Sequence, residues 1–226
     1  MAGNSGPKIV SNGLIYKLDA ANNKSFPKSG TEFKDLTRKK AASTLINGPA
    51  FNTGKAGYIT LDGVNDYIDC GIIKPTGAMT ISVWHKSYLW LTSSAAGKRS
   101  PPGYTLLSQP SNNGTNWIRF AIPISDSSEV PVTIYPNTDT SLWYNIVGVY
   151  IPSTSITIYR NGIQLVQNTT SIPASQYVGN GANTLINKDP RPVYHAGSIA
   201  EVSIYNIALT PNQILKNYRA TKSRFK

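Results

Sequence analysis

The sequence has few of the features that stabilise or anchor a chain by means other than a hydrophobic core. Cys70 is the single cysteine, so no disulfide can form within the chain, and we expect a buried, unreactive thiol. No run of about 18 apolar residues occurs, which argues against membrane insertion. The first residues lack an apolar signal core, so we expect a flexible arm over residues 1–12 and no secretion signal.

Acidic residues are scarce, because 11 Asp and Glu stand against 22 Lys and Arg, for a formal net charge of +11. Polysaccharide hydrolysis needs two carboxyl groups that flank the scissile bond, and on one strand such residues lie two positions apart. The sequence has no Glu-x-Asp or Glu-x-Glu pair, and Glu201 is alone on its predicted strand. Its two isolated histidines form no recognisable metal motif. We therefore predict no enzymatic activity and no catalytic residues.

Basic side chains cluster near residue 38 and in the last eleven residues. A positive surface attracts anionic partners, but neither cluster alternates with stacking aromatics as a nucleic-acid groove would, so we expect no nucleic-acid binding. The clusters are either solvated surface or docking sites for an acidic protein. The candidate docking residues are Arg38, Lys39, Lys40, Lys216, Arg219, Lys222 and Arg224.

Short alternating apolar runs predict an all-β chain of about ten to twelve strands. Asn161-Gly162 separates two such runs and predicts a hairpin, whereas Pro101 and Pro102 favour a long exposed loop over residues 87–103. Residues 143–151 are apolar on both sides at their centre, as in a strand covered on both faces. The predicted strands cover residues 13–19, 79–84, 104–108, 117–122, 130–135, 143–151, 155–160, 163–166 and 197–205, with two more around residues 62–66.

The end of the chain carries a helix signal. Thr210 fits the N-cap position, Pro211 the first helical position and Gln213 the reciprocal position of a capping box. We expect Leu215 and Tyr218 to dock on a sheet. Many short strands followed by one helix favour a two-sheet antiparallel sandwich with a short C-terminal helix, in which residues 13–218 form one domain and residues 219–226 a basic tail.

A turn at residues 62–69 holds the densest group of carboxylates. Asp62, Asn65, Asp66 and Asp69 offer oxygen ligands of the kind that calcium prefers. The alternative is that Asp62 and Asn65 hydrogen-bond the backbone of their own turn. Apart from this calcium hypothesis we expect no cofactor.

Exposed aromatic residues beside polar loops would suit carbohydrate recognition. Trp90 is the preferred candidate because it lies in the predicted long loop. The alternative for Trp84, Trp117 and Trp143 is that they fill the core between the sheets. The candidate glycan-binding residues are Tyr88, Trp90, Tyr104, Trp117 and Tyr194.

Several motifs together resemble one protein family. The opening at residues 13–27, the segment 45–51, the acidic turn at 62–67, the strand 143–147, the hairpin 159–162 and the closing strand 197–209 resemble laminin-G-like modules. These modules belong to the concanavalin A-like lectin/glucanase jelly rolls, and the opening is most similar to modules of tailed-phage virion proteins. Ala200-Glu201 departs from the family's usual acidic pair, which argues against calcium.

The resemblance implies an all-β jelly-roll sandwich but leaves the function open. We favour a non-enzymatic protein on the surface of a phage virion, either a capsid decoration subunit or a fibre-associated subunit. Such a subunit would dock on other virion proteins, such as capsid subunits, and could form homo-oligomers. The alternative is a lectin that recognises cell-surface or environmental glycans, and a third option is a fragment of a bacterial adhesin.

Overall fold

The computed structural model describes residues 8–54, 56–93, 103–110, 116–125, 128–136, 138–177, 183–188 and 194–226. Its strands are β1 (Leu14–Asp19), β2 (Glu32–Phe33), β3 (Ser43–Ile46), β4 (Ala50–Asn52), β5 (Tyr58–Asp62), β6 (Tyr67–Asp69), β7 (Met79–Ser87), β8 (Leu89–Ser93), β9 (Thr105–Pro110), β10 (Asn116–Pro123), β11 (Glu129–Ile134), β12 (Trp143–Ile151), β13 (Ser155–Arg160), β14 (Ile163–Asn168), β15 (Thr184–Ile186) and β16 (Ala196–Tyr205). One α-helix, α1 (Pro211–Thr221), and a short 3-10 helix, Lys222–Phe225, follow them.

The strands form two antiparallel sheets. The first sheet has the order β14-β13-β12-β7-β16-β5-β4, with β1 paired to β16, and the second has the order β11-β10-β9-β8-β15-β6-β3-β2. Neighbours in the sheets come from distant parts of the sequence, as in a jelly roll. The predicted all-β, concanavalin A-like sandwich with a short C-terminal helix is therefore confirmed, and each predicted strand coincides with an observed one to within a few residues.

The main core lies between the sheets and is built from one side of each strand. In β12 the inward-facing residue Gly148 has no side chain, and a Cβ atom there would lie 2.6 Å from Cγ of Phe120 in β10. The absence of a side chain lets the phenyl ring pack directly on the backbone of the opposite sheet. The predicted hairpin is confirmed as well, since Asn161 and Gly162 have φ values of 54° and 82° between β13 and β14.

The C-terminal helix covers the outer face of the first sheet. The Thr210 hydroxyl accepts a hydrogen bond from the Gln213 amide, and the Gln213 side chain accepts one from the Thr210 amide, so the predicted capping box is confirmed. Ile214 is buried in a second apolar cluster together with Val147 and Tyr205. Leu215 packs over the hairpin glycine, Gly162, in agreement with the predicted docking.

Two tryptophans lie under this C-terminal segment, so the prediction that they fill the core between the sheets is wrong. Trp84 stacks on Phe225 with ring centroids 3.9 Å apart, and its indole N–H donates to the Thr221 hydroxyl at 2.9 Å. Trp143 is half-buried, 5.3 Å from the Phe225 ring. Strands β7 and β12 are apolar on both sides because the end of the chain covers their outer side.

Both ends of the chain have ordered contacts where the structure describes them. Val10 is buried, its amide donates to Asn217 Oδ1 at 2.8 Å, and its carbonyl accepts the Tyr205 hydroxyl. At the other end, Phe225 belongs to the aromatic stack. The prediction of a flexible arm over residues 1–12 is therefore wrong at Val10, and residues 1–7 lie outside the described part.

The predicted loop over residues 87–103 is also only partly correct. Residues 89–93 form β8, which pairs with both β9 and β15 in the second sheet. Leu89 and Leu91 are buried in the core, which explains why this segment joins the sheet. Residues 94–102 lie outside the described residues. No helix in the described part of the chain has the length and apolar character needed to cross a membrane.

Candidate functional site

The outer face of the second sheet can be assigned from strand alternation. Ile68 in β6 and Leu91 in β8 belong to the core, so the side chains next to them along each strand point outwards. The outward positions include Tyr67, Asp69, Thr92, Thr105, Arg119 and Leu185. This face therefore combines an aromatic ring, hydroxyl groups and charged groups.

A cluster of two tyrosines and one lysine, the tyrosine cluster, stands at one end of this face. The rings of Tyr67 and Tyr194 are 6.1 Å apart and tilted by 39°. The Lys188 ammonium lies 4.0 Å from the Tyr67 ring centroid and 5.6 Å from that of Tyr194. All three side chains are half-buried. The lysine charge is attracted to the electron-rich ring faces, which orders the three side chains relative to one another.

The backbone around the cluster explains its geometry. Lys188 and Tyr194 form an isolated antiparallel bridge, and the amide of His195 donates to the carbonyl of Asn187 at 3.0 Å. Gly63 of the acidic turn has φ of 79°, and a Cβ there would lie 2.8 Å from the backbone nitrogen of Ala196. The turn can therefore pack against the segment that carries Tyr194, close to Tyr67.

The acidic turn uses its carboxylates to hold its own backbone. Asp62 Oδ1 accepts the amides of Val64, Asn65 and Asp66, and the Val64 hydrogen bond in particular lowers the pKa of Asp62. Burial raises the pKa of Asp66, whose Oδ2 accepts the Asp62 amide.

Asp69 faces a different partner, because both of its carboxylate oxygens accept the Asn183 side-chain amide at 2.9 Å. Within the described ranges, no group of three or more His, Cys, Asp or Glu side chains is placed to hold a metal ion. The four predicted calcium ligands, Asp62, Asn65, Asp66 and Asp69, are thus not shown as one site, and calcium binding stays a prediction.

Two hydroxyl groups on the same face lack hydrogen-bond partners. Thr92 and Thr105 are register partners across β8 and β9, and both are buried. Neither Oγ1 atom has a partner among the described groups. Unpaired buried hydroxyls are uncommon and destabilising, because each has lost its bonds to water. Near them, Arg119 and Glu129 form an ion pair at 2.6 Å.

The predicted glycan-binding residues do not form one group. Tyr104 is buried, with its hydroxyl within 2.9 Å of the Ile73 carbonyl, so its assignment as a binding residue is wrong. Tyr88 and Trp117 are half-buried, and Trp90 lies in β8 opposite Leu107 rather than in a loop. Tyr194 alone of the five belongs to the cluster within the described residues. Its partner Tyr67 was missed, although its alternation with buried Ile68 placed it on the outside.

The predicted docking residues differ in their surroundings. Arg38, Lys39, Lys40, Lys216 and Arg219 are exposed, and Lys222 is half-buried beside the Tyr218 ring. The docking assignment is wrong for Arg224, because its guanidinium pairs with Asp19 at 2.8 Å and with Glu201 at 3.3 Å within the chain.

Three groups of the described part that could serve in catalysis are buried or engaged in ion pairs. Glu201 is held by ion pairs to Lys17 and Arg224. Burial lowers the pKa of His85 to about 3 and raises the pKa of the Cys70 thiol to about 12. Both side chains are therefore uncharged at neutral pH and inaccessible to substrate, and the expectation that Cys70 is a buried thiol is confirmed.

Comparison with known proteins gives the family and the fold. Residues 53–215, most of the chain, match the family described as the concanavalin A-like lectin/glucanases superfamily. No curated protein matches the sequence. Domain 4 of AbnA, a GH43 extracellular arabinanase from Geobacillus stearothermophilus in complex with arabinotriose, matches with a TM-score of 0.65 and 18% identity over 91% of this chain and 98% of that chain.

Two other similar structures are binding domains of larger proteins. The ligand binding domain of botulinum neurotoxin serotype D, in complex with N-acetylneuraminic acid, has a TM-score of 0.64 and 12% identity over 91% of this chain and 50% of that chain. The binding domain of Paraclostridial Mosquitocidal Protein 1 has a TM-score of 0.67 and 14% identity, covering 91% and 52%. The chain spans about half the length of these two domains. Identities this low show a shared fold alone.

Proposed function

Because the chain belongs to the concanavalin A-like lectin/glucanases superfamily, we propose that it is a non-catalytic carbohydrate-binding domain that uses the tyrosine cluster. The observation that carries this proposal is the arrangement of Tyr67, Tyr194 and Lys188, two half-buried rings around one ammonium group. Aromatic faces pack against the apolar C–H faces of sugars, and the ammonium supplies hydrogen-bond donors for sugar oxygens.

The ligands of two similar structures support the same class of function. Domain 4 of the arabinanase was solved with arabinotriose, and the neurotoxin domain with N-acetylneuraminic acid. The match covers 98% of the arabinanase domain but only 50% of the neurotoxin domain, so the arabinanase ligand is the stronger support. The fold is thus compatible with glycan binding, while the residues that perform it must be tested in this chain itself.

The proposal includes no catalysis, because the carboxyl groups that the structure describes near the cluster do not form a suitable pair. A retaining or inverting glycosidase needs two such groups on either side of the bond. Near the cluster, Asp62 is occupied by three amides of its own turn, and Asp69 is bound to Asn183. Incubation with a panel of β-glucans, agar and arabinans should release no sugar, and any turnover by the purified protein would refute this part.

A glycan array followed by titration calorimetry tests the binding proposal. We expect at least one carbohydrate ligand, and we expect Tyr67→Ala and Tyr194→Ala each to weaken its binding by about tenfold or more, since each removes one ring contact. Tyr135→Ala is the matched control, because Tyr135 is 68% exposed and lies outside the cluster. An array without hits, or equal losses in all three variants, would contradict the proposal.

A structural role on a virion surface is the second candidate function. Its support is the resemblance of the opening residues to phage modules, together with exposed basic residues such as Lys40, Lys216 and Arg219 that would suit an acidic subunit. We expect such docking to weaken at high salt. Mass spectrometry of purified virions should then detect the chain, whereas its consistent absence from virions would remove this candidate.

A further inference from the structure

A second region of the molecule has the properties of an anion-binding site. The segment between β1 and β3 forms a cavity of about 580 Å³ that we call the basic cavity, and it shares no residue with the tyrosine cluster. Its lining consists of Lys24, Lys34, Asp35, Leu36 and Arg38. Three of these five side chains are therefore positively charged.

The single carboxylate of the basic cavity is already saturated with donors. Asp35 is only 5% exposed. Its Oδ1 accepts the amides of Lys17 and Thr37, and its Oδ2 accepts the Thr37 hydroxyl and the amides of Lys39 and Lys40. These five bonds offset the negative charge of Asp35. The carboxylate therefore organises the loop and leaves the lining cations available to a ligand.

The lining cations are largely without protein partners. Neither Lys24 nor Arg38 has an ion-pair partner within the described ranges. Lys34 pairs with Glu32 at 3.0 Å, but both side chains are more than half exposed, and such pairs are weak. A multiply charged anion could therefore compete with Glu32 for Lys34 and contact all three cations.

The backbone at Arg38 permits a substitution that removes the side chain without adding strain. Arg38 has φ of 59°, in the left-handed region that glycine adopts at lower cost. Its amide donates to the Asp35 carbonyl at 3.1 Å, so the same aspartate fixes this turn. A glycine would fold here with less strain, yet the chain has an arginine that lines the cavity.

The basic cavity adjoins a shallow, open surface. This surface is lined by Asp19, Ala21, Asn22, Asn23, Lys24 and Arg224, so Lys24 belongs to both regions. Asp19 is paired with Arg224 there. Asn22 and Asn23 provide amide groups that can donate to and accept from hydroxyl groups. An open surface with amide groups beside the basic cavity leaves room for the next unit of a linear chain, which one small ion would not use.

We propose that the basic cavity binds the sulfate or carboxylate group of an acidic polysaccharide, with the next sugar unit beside Asn22 and Asn23. Lys24, Lys34 and Arg38 contact the anionic group, and Arg38 is the residue that distinguishes this site from general positive charge. The site is separate from the tyrosine cluster and does not depend on it.

Titration calorimetry with a heparin hexasaccharide and its desulfated counterpart tests the proposal. We expect binding of the sulfated chain, and we expect Arg38→Gly to weaken it by about tenfold, the loss typical of one charge-assisted contact. The melting temperature of this variant should stay equal or rise, because glycine relieves the left-handed strain. A loss of binding without a loss of stability cannot be caused by misfolding.

Lys28→Gly is the matched control. Lys28 is also basic, exposed and left-handed, with φ of 72°, but it does not line the cavity. We expect this variant to bind the hexasaccharide as the wild type does. Equal losses in both variants would show attraction by net charge only, and equal binding of the desulfated chain would show that the anionic group is not recognised. Either result overturns the proposal.

Two further binding experiments identify the source of the anionic group. Inorganic phosphate and vesicles that contain phosphatidylserine should bind much more weakly than the hexasaccharide, and tighter binding of either one would overturn the assignment to a polysaccharide. Tyr67→Ala should leave hexasaccharide binding unchanged, and Arg38→Gly should leave binding of a neutral array ligand unchanged. The two sites can therefore fail independently.

Discussion

The outer faces of the two sheets both carry aromatic side chains on alternating strand positions, but these side chains have different surroundings. On the first sheet, Trp84 stacks on Phe225 and Tyr218 and is only 4% exposed. On the second sheet, Tyr67 is half-buried and contacts Tyr194 and Lys188. An aromatic ring on the first face thus stabilises the attachment of the C-terminal segment, while the rings of the second face remain partly accessible.

The difference shows that a ring's role depends on what lies over its strand. Trp84 and Thr221 are hydrogen-bonded although they are 137 positions apart in the sequence, so a local pattern around Trp84 contains no sign of this contact. The part of the first face under the C-terminal segment is therefore structural. The tyrosine cluster is the better candidate for recognition, although Thr92 and Thr105 on the same face of the second sheet are buried. The following predictions test this contrast in order of decreasing effect.

Truncation of Trp84 should lower the free energy of unfolding more than any other change considered below. Trp84→Ala removes the stack on Phe225 and Tyr218 and the bond to Thr221, and should lower the free energy of unfolding by about 3–5 kcal/mol. Urea denaturation measures the change. Trp117→Ala is the control on the second sheet, and its loss should be well under half as large because Trp117 is half-buried. Equal losses of stability in Trp84→Ala and Trp117→Ala would show that the two sheet faces do not differ in this respect.

Acidic pH should destabilise the protein through His85, which lies on the inner side of the strand that carries Trp84. His85 is buried there, and its pKa is lowered to about 3, below its usual 6.5. The unfolded chain therefore binds a proton between these values that the folded chain does not, so stability falls as pH falls through this window. Between pH 6.5 and 5 the loss from His85 should be about 2 kcal/mol.

His85→Leu isolates this contribution from that of the carboxylates. The variant should lose about 2 kcal/mol less than the wild type between pH 7 and pH 5 in urea denaturation. Parallel pH dependences for the two proteins would show that folding does not lower the pKa of His85.

Removal of the ion pairs of Arg224 should lower the free energy of unfolding by a smaller amount. Arg224→Gln leaves the largely buried carboxylates of Asp19 and Glu201 with fewer partners, which should lower the free energy of unfolding by about 1–2 kcal/mol. Arg219→Gln is the control, because Arg219 is exposed, and it should change stability by no more than about 0.5 kcal/mol. If Arg224→Gln left the free energy of unfolding unchanged, the aromatic contacts alone would be sufficient to hold the C-terminal segment on the sheet.

Calcium should have the smallest effect, since the carboxylates of the acidic turn already accept amide hydrogen bonds. We expect equal melting temperatures in calcium and in a chelator, because only a ligand of the folded state raises stability. A rise of several degrees with calcium, lost on Asp62→Asn, would instead establish a metal site at the turn.

Local features of the fold could be predicted well from the sequence. The hairpin at Asn161-Gly162 and the capping box of Thr210 and Gln213 depend on neighbouring residues, and both were confirmed. Very short strands such as β2 and β15 were missed, because two or three residues are too few to show an alternation and their pairing depends on distant strands.

The surfaces could be predicted only in part. Alternation separates the two sides of a strand but does not tell which side another segment covers, so Trp84 was assigned to the core and Tyr104 to the surface. Arg224 was assigned to the surface because its partners Asp19 and Glu201 are far away in sequence. In the tyrosine cluster, Tyr194 was predicted, while Tyr67 and Lys188 were not, since their contact arises from the packing of the acidic turn.

A backbone amide NMR titration with a neutral glycan from the array tests the central claim most directly. If the second face recognises carbohydrate, the largest shift changes should occur at Tyr67, Lys188 and Tyr194, and the amides around Trp84 and Phe225 should stay unchanged. Shift changes centred on Trp84 and Phe225, with none at the tyrosine cluster, would contradict the account.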